Sequence, residues 1–237
     1  KNLLSLSNKE LQTIRGDKIS MVFQNPKSSI NPIFTLGEQI FRLIRLYLAD
    51  EVEDIKRKRQ CSKKQAIETI AKGKLNEVGL TDISRLLKLY ANEVSGGMAQ
   101  RYRIALSLLS SPQILIADEA TSALDVTVQA HILKLMKDLC RTKKTAILFI
   151  THDLDEAIYL ADRVLVLKAH PGEVQELIEV PVPQPRSPEQ LLSPEFLATK
   201  RRLEELIHPP EDDVGINEDH LNMVRMVSVD HEVESVF

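Results

Sequence analysis

From Met98 to Leu167 the chain alternates short apolar runs with longer stretches whose apolar residues recur at helical spacing, and few folds accommodate that alternation. Ile114 to Ala117, Thr145 to Ile150 and Val164 to Leu167 are predicted as strands. Met98 to Ser110, Val126 to Leu139 and Leu154 to Ala161 are predicted as helices, with Val128, Ile132, Leu135 and Leu139 on one face of the second. Strands separated by helices return to one sheet through crossovers, so the expected class is α/β with a largely parallel sheet covered on both faces.

The region before it reads differently. Ser7 with Glu10 makes a capping-box pattern ahead of Leu11 and Ile14, Gly16 closes that turn, and Ile19 to Phe23 reads as a buried strand. Asn25 to Pro32 is loop-like. Helices are expected over 37–48, 62–78 and 81–90, with the mixed-charge run around 51–59 as an exposed linker, so residues 33–91 form a helical insertion. Beyond Pro171-Gly172, a turn into another strand, four prolines between Pro181 and Pro188 mark an extended linker. A helix follows from about Glu189 to Ile207, and the acidic stretch from Pro209 is left without assigned structure.

With 237 residues, 43% of them hydrophobic, the chain can bury one full core and a smaller subdomain. A net charge of -3 offers no electrostatic footprint for nucleic acid. Cys61 and Cys140 stand far apart and read as thiols rather than a disulfide. No stretch reaches the roughly 20 apolar residues of a membrane span. The chain is therefore expected to be soluble, with any membrane role carried by a partner.

Four short motifs carry the chemistry. Ser95-Gly96-Gly97 opens a helix, where backbone N–H groups at the positive end of the dipole suit a phosphate. Alone, such a tripeptide is an ordinary glycine-rich cap. Ile114 to Ala117 run directly into Asp118 and Glu119, which puts two carboxylates at the carboxyl edge of a parallel sheet. There Asp118 is placed to hold magnesium through water, and Glu119 to orient or deprotonate an attacking water. His152 follows the next strand, ahead of a helix that Asp153 can cap, and can contact a γ-phosphate. Gln24 ends the first strand and, in isolation, is an unremarkable surface glutamine.

Taken in order and spacing, these residues resemble the ATP-binding-cassette (ABC) ATPases over residues 1 to about 207. The resemblance implies a P-loop NTPase core of RecA-like type with an inserted helical subdomain. It divides the chain into a partial core (1–28), the helical subdomain (29–91), the rest of the core (92–180) and a C-terminal linker, helix and acidic tail (181–237). It assigns Gln24 to the Q-loop, as a ligand of phosphate and metal, and Ser95, Gly96 and Gly97 to the signature motif. Asp118 and Glu119 become the Walker B pair, Asp125 a D-loop residue at the nucleotide, and His152 the switch histidine. ATP and Mg²⁺ are the implied ligands. The implied partners are a second ABC ATPase subunit, identical or different, and integral membrane permease subunits, with the chain peripheral on the cytoplasmic face of the inner membrane.

Residues 1 to about 140, with MVFQNPKSSINP, VSGGMAQR and SALDVTVQAHIL, look like the ATPases of dipeptide, oligopeptide and nickel importers. Residues 150–207, with THDLDEAIYLADRVLVL and SPEFLATKRRLEELI, look like those of nitrate, sulfonate and taurine importers. Ala120 stands where the family commonly has Pro, and Val94 where it has Leu; both changes are mild. A larger departure is that no GxxxxGK followed by Ser or Thr occurs, Gly73-Lys74 being the only Gly-Lys pair. The chain is thus expected to start just after the strand, loop and helix that carry this Walker A motif. Loss of one preorganised donor typically costs about 2.7–4 kcal/mol of catalysis, and loss of the whole cradle should abolish hydrolysis in the chain's own site. The alternatives are a catalytically silent partner that completes another subunit's ATP site, and a non-transport ABC ATPase of DNA repair or chromosome structure. The short insertion without sustained heptads disfavours the latter.

Overall fold

The structure is a computed structural model that describes residues 2–24, 28–121, 126–168, 172–208 and 225–229. The chain divides into two compact units, Lys1–Leu115 with Ala120–Thr145, and Ile116–Glu119 with Ala146–Phe237.

In the first unit, Ser7 caps α1 (Asn8–Ile14) through the expected box: its Oγ accepts from Glu10 N and its own N–H donates to Glu10 Oε2 at 3.0 Å. β1 (Ile19–Val22) follows a turn at Gly16, whose φ of +78° suits glycine and where a Cβ would meet the Tyr47 hydroxyl at 2.5 Å. The helical part begins with α2 (Leu36–Tyr47), capped by Thr35 and Glu38 and burying Leu36, Ile40 and Ile44 along one face. Full burial of each such side chain is worth about 1.5–3 kcal/mol.

Residues 49–59 correct the expectation of a linker, for they form α3 (Ala49–Arg59). Only Val52 is buried on it, so the apolar period is too weak to announce a helix. Exposed charge pairs add local support: Lys56 meets Glu53 at 2.9 Å and Lys58 meets Asp54 at 2.6 Å, one turn apart. Acids fill the first turn and bases the last, which suits the helix dipole. The Lys58 and Arg57 hydrogen bonds hold the Asp54 carboxyl below the usual carboxylate range.

α4 (Lys63–Glu77) buries Ala66, Ile67, Ile70, Ala71 and Leu75. α5 (Ile83–Leu86) is shorter than the expected 81–90, because the carbonyls of Leu87 and Leu89 accept from the N–H groups of Gly37 and Leu36 at 2.9 Å each. Those carbonyls satisfy the open start of α2 instead of continuing a helix. At Gly37 a Cβ would lie 2.5 Å from Leu87 O, so only glycine permits this approach.

α6 (Gly96–Ser107) begins two residues earlier than expected, with Ser95 as its cap. The start of β2 (Ile114–Asp118) lies beside β1, where Gln113 N and Ile114 N donate to Lys18 O at 2.9 and 3.1 Å. α7 (Val126–Lys143) buries Ile132, Leu133 and Met136 most deeply, while Val128, Leu135 and Leu139 are half-buried at the margin of that face.

The second unit takes the rest of β2 and adds β3 (Ala146–Thr151), α8 (Leu154–Leu160), β4 (Arg163–Lys168), β5 (Glu173–Glu179), α9 (Pro194–Ile207) and β6 (Arg225–Val229). Its strands lie in the order β2-β3-β6-β4-β5. β6 pairs antiparallel with β3 through Phe149↔Val227 and with β4 through Val164↔Val227. β3 and β4 therefore run in the same direction, as the α8 crossover requires, with a reversed strand between them. This corrects the reading of the tail as unassigned.

The proline-rich stretch is also more than a spacer. Arg186, 6% exposed, donates from Nε to Val182 O at 3.0 Å and from Nη1 to the carbonyls of Tyr159 and Ala161 at the end of α8. Those are C-terminal helix carbonyls that lack partners within the helix, so Arg186 seals the end of α8 and fixes residues 182–186 in one step. Burial lowers the pKa of its guanidinium. α9 starts at Pro194 after a short turn over Pro188–Leu192, and it buries Phe196, Thr199, Leu203 and Ile207.

Candidate active site

Asp118 and Glu119 follow from β2, an apolar strand that stops where its carboxylates begin. Asp118 is half-buried at the strand end. Glu119 leaves the strand with φ of 41°, in the left-handed region that costs a non-glycine residue on the order of 1–3 kcal/mol. Its backbone N–H is held by Ile150 O at 2.9 Å, which ties the turn after β2 to the end of β3. That turn swings the Glu119 carboxylate to His152, where Oε1 lies 2.6 Å from Nε2. The carboxylate is 18% exposed and the imidazole 56%, so the acid is sheltered while the ring reaches solvent. A sheltered carboxylate bonded to an imidazole is positioned to accept a proton from water.

The loop that carries His152 is fastened on both sides. The Thr151 hydroxyl donates to Glu156 Oε2 at 2.7 Å and accepts from Asp153 N at 3.0 Å. Asp153 caps α8 as expected, accepting from Asp155 N at 2.8 Å and Glu156 N at 3.0 Å.

Gln24, Ser95, Gly96 and Gly97 belong to the first unit. Ser95 is exposed, and its Oγ accepts from Met98 N at 3.2 Å. The two glycines differ in what surrounds them. A Cβ on Gly97 would come 3.3 Å from Val128 Cγ1, whereas one on Gly96 would meet nothing within 4 Å. Packing among the described residues thus explains Gly97 and leaves Gly96 to a reason outside the fold. Gln24 is exposed just past β1. Asp125 lies outside the described residues.

Two residues near these motifs escaped sequence reasoning. Arg103 on α6 donates from Nη1 to Ser29 O at 2.6 Å and stacks its guanidinium 5.5 Å from the Phe23 ring, so it grips the chain on both sides of Gln24. Burial lowers its pKa. Gln100, fully buried on α6, donates to Ala120 O in the turn after Glu119, and its Oε1 has no hydrogen-bond partner among the described residues. The signal for both was a polar side chain on the buried face of a helix, which composition alone does not separate from a solvated one.

Among the described residues no group of three or more His, Cys, Asp and Glu is arranged to hold a metal. Magnesium needs no such cluster, since it takes one or two carboxylates and completes its shell with water and substrate phosphates. Asp118, at the strand end beside Glu119, is the residue here that fits such an ion.

The ABC transporter family model matches residues 3–122, half of the chain. Oligopeptide transport ATP-binding protein AppD of Bacillus subtilis is 42% identical over 176 residues, covering 74% of this chain and 49% of its own length. Glutathione import ATP-binding protein GsiA of Salmonella choleraesuis is 39% identical over 179 residues, covering 74% and 27%. The chain spans half or less of the length of these curated relatives. Among solved structures, the dimeric post-hydrolysis state of the ATP-binding cassette MJ0796, bound to ADP and Pi, superposes with a TM-score of 0.58 and 30% identity, covering 74% of this chain and 68% of that one.

Proposed function

Because the chain belongs to the ABC transporter family, we propose that it is the ATP-hydrolysing subunit of an importer of short peptides. The observation that carries this reading is the Glu119–His152 contact at the ends of β2 and β3. Glu119 takes the proton of the attacking water, its carboxylate kept in place by the left-handed turn and by the imidazole. His152 holds that carboxylate and contacts the γ-phosphate. Asp118 would hold magnesium through water, and the family resemblance assigns Gln24 to the metal and phosphate as well; when bound, the ion would supply charge neutralisation at the phosphates. Ser95, Gly96 and Gly97, with Asp125, serve the nucleotide of an opposing subunit, which places ATP at a dimer interface.

Functionally the chain divides into core segments 1–28 and 92–180, a helical subdomain 29–91 that meets the permease, and a C-terminal part 181–237. Among the described residues no helix is long and apolar enough to cross a membrane; by the family assignment the subunit lies peripherally on the cytoplasmic face of the inner membrane. The peptide class of solute follows the names of the relatives, oligopeptide and glutathione importers. These 237 residues contain no Walker A pattern and so do not themselves show the phosphate cradle for this subunit's own nucleotide.

The test is ATP-driven uptake of labelled dipeptides, oligopeptides and glutathione by vesicles holding the chain with its permease. Nickel, nitrate and taurine serve as competing solutes. Peptide uptake that stops with Glu119→Gln supports the proposal. Uptake of nickel or nitrate instead reassigns the solute, and hydrolysis without any uptake removes the importer.

A second reading has its own support. Ser95 to Gly97 form the start of α6 without help from any phosphate loop, so the chain can complete the site of another subunit while hydrolysing nothing itself. Mixing it with an intact relative whose signature serine and glycine are disabled tests this. Activity that returns, and is lost with Ser95→Arg here, supports the half-site role; no recovery in a demonstrably associated mixture ends it.

A further inference from the structure

We infer that Glu156 is a positioning residue for His152, acting through the Thr151 hydroxyl; the inference rests on the reading of His152 given above. An acid in the first turn of a surface helix is ordinarily solvated, yet Glu156 is 7% exposed. Burying an ionised carboxylate is unfavourable unless its surroundings answer the charge. One contact of Glu156 is local. Glu156 Oε2 accepts from Thr151 Oγ1 at 2.7 Å, and Thr151 is itself 4% exposed. The same hydroxyl oxygen accepts from Asp153 N at 3.0 Å, and Asp153 Oδ1 accepts from Glu156 N at 3.0 Å. These three bonds close a ring through residues 151, 153 and 156, and His152 lies between the first two in sequence without contributing an atom to it.

The ring fixes the peptides on either side of His152 and leaves its side chain to reach Glu119. With the imidazole 56% exposed, packing does little to orient it. Its direction is set by the backbone torsions between Thr151 and Asp153, which this ring holds. Helix capping by itself needs Asp153 and not the Thr151–Glu156 bond.

The experiment uses the assembled ATPase that contains this chain. A displacement of 1 Å at a reacting group costs about 100-fold in rate. Glu156→Ala is therefore expected to lower kcat by about 10- to 100-fold with KM little changed. Glu156→Gln keeps an acceptor for the Thr151 hydroxyl and should stay near the parent rate. Thr151→Val, which removes the donor at nearly constant shape, should reproduce the loss and serves where Glu156→Ala does not fold. In a His152→Ala background, Glu156→Ala should have no further effect on kcat. If the two losses multiply instead, or if Glu156→Ala and Thr151→Val both turn over at the parent rate while His152→Ala does not, the inference is overturned and the site reading survives. If His152→Ala itself turns over at the parent rate, the site reading falls and the inference with it.

Discussion

Glu119 Oε1 stands 2.6 Å from His152 Nε2, so the carboxylate ending one strand and the imidazole ending the next form a single hydrogen-bonded unit. In the assembled ATPase, Glu119→Gln should keep nucleotide binding, because the amide preserves shape and can still bond to the ring. Turnover should fall by about 10²- to 10⁴-fold, the usual contribution of a general base. Equilibrium binding and single-turnover hydrolysis measured side by side check this. Parent-like turnover would remove Glu119 from the role.

Gly96 makes a cleaner separation between folding and function. A methyl group there meets nothing within 4 Å, so Gly96→Ala should leave the thermal midpoint unchanged or slightly higher. ATPase activity of the dimer should nevertheless drop, because that space is where an opposing phosphate would come. A stable variant with full activity would detach Gly96 from any nucleotide.

Arg103 joins α6 to the segment around Gln24 through Ser29 O and the Phe23 ring. Arg103→Met keeps the apolar stem and deletes both polar contacts. The expected loss is about 2 kcal/mol in chemical denaturation, typical of a hydrogen bond from a charged donor. Arg103→Lys should recover little, since an ammonium cannot both stack on the ring and reach the carbonyl in the same way.

Tyr102 gives a pH signature. Its hydroxyl donates to Leu36 O at 2.7 Å, and burial raises the phenol well above its ordinary pKa of 10.0. A folded-state pKa above the unfolded value means stability is whole below about pH 10 and falls as pH rises beyond it, because the unfolded chain releases the proton first. Tyr102→Phe should be less stable at neutral pH by about 1 kcal/mol, yet lose less between pH 10 and 11 than the parent. Parallel stability curves across that range would show that Tyr102 does not govern the alkaline limb.

Much of this architecture was legible because it is written locally. The capping box at Ser7 and Glu10, the apolar run into Asp118 and Glu119, and the Asp153 cap each lie within a few residues of what they specify. What escaped depends on distant partners or on geometry. α3 has one buried residue and an otherwise charged face, so it looked like a solvated linker. Arg186 is buried because α8 presents open carbonyls 25 and 27 residues earlier, and no neighbouring residue signals that. Within the site, residue types and order could be read, but not the left-handed turn at Glu119, since Glu is not a residue that favours that conformation.

β6 shows the extreme of the same limit, and it has a consequence for how the chain comes to be folded. Phe149 and Val164 find their shared opposite number at Val227, so the middle of the second unit's sheet is supplied by residues made after every other strand in it. While the chain emerges from the ribosome, β3 and β4 are available early, and each presents an unpaired edge to the cleft between them. Closing that cleft demands contacts about 60 to 80 residues apart, a slow step for topological reasons. Until it closes, two open edges stand ready to recruit a strand from another molecule. The nascent sheet thus passes through an interval in which β3 and β4 face each other across an unfilled gap, each with one edge open to pairing.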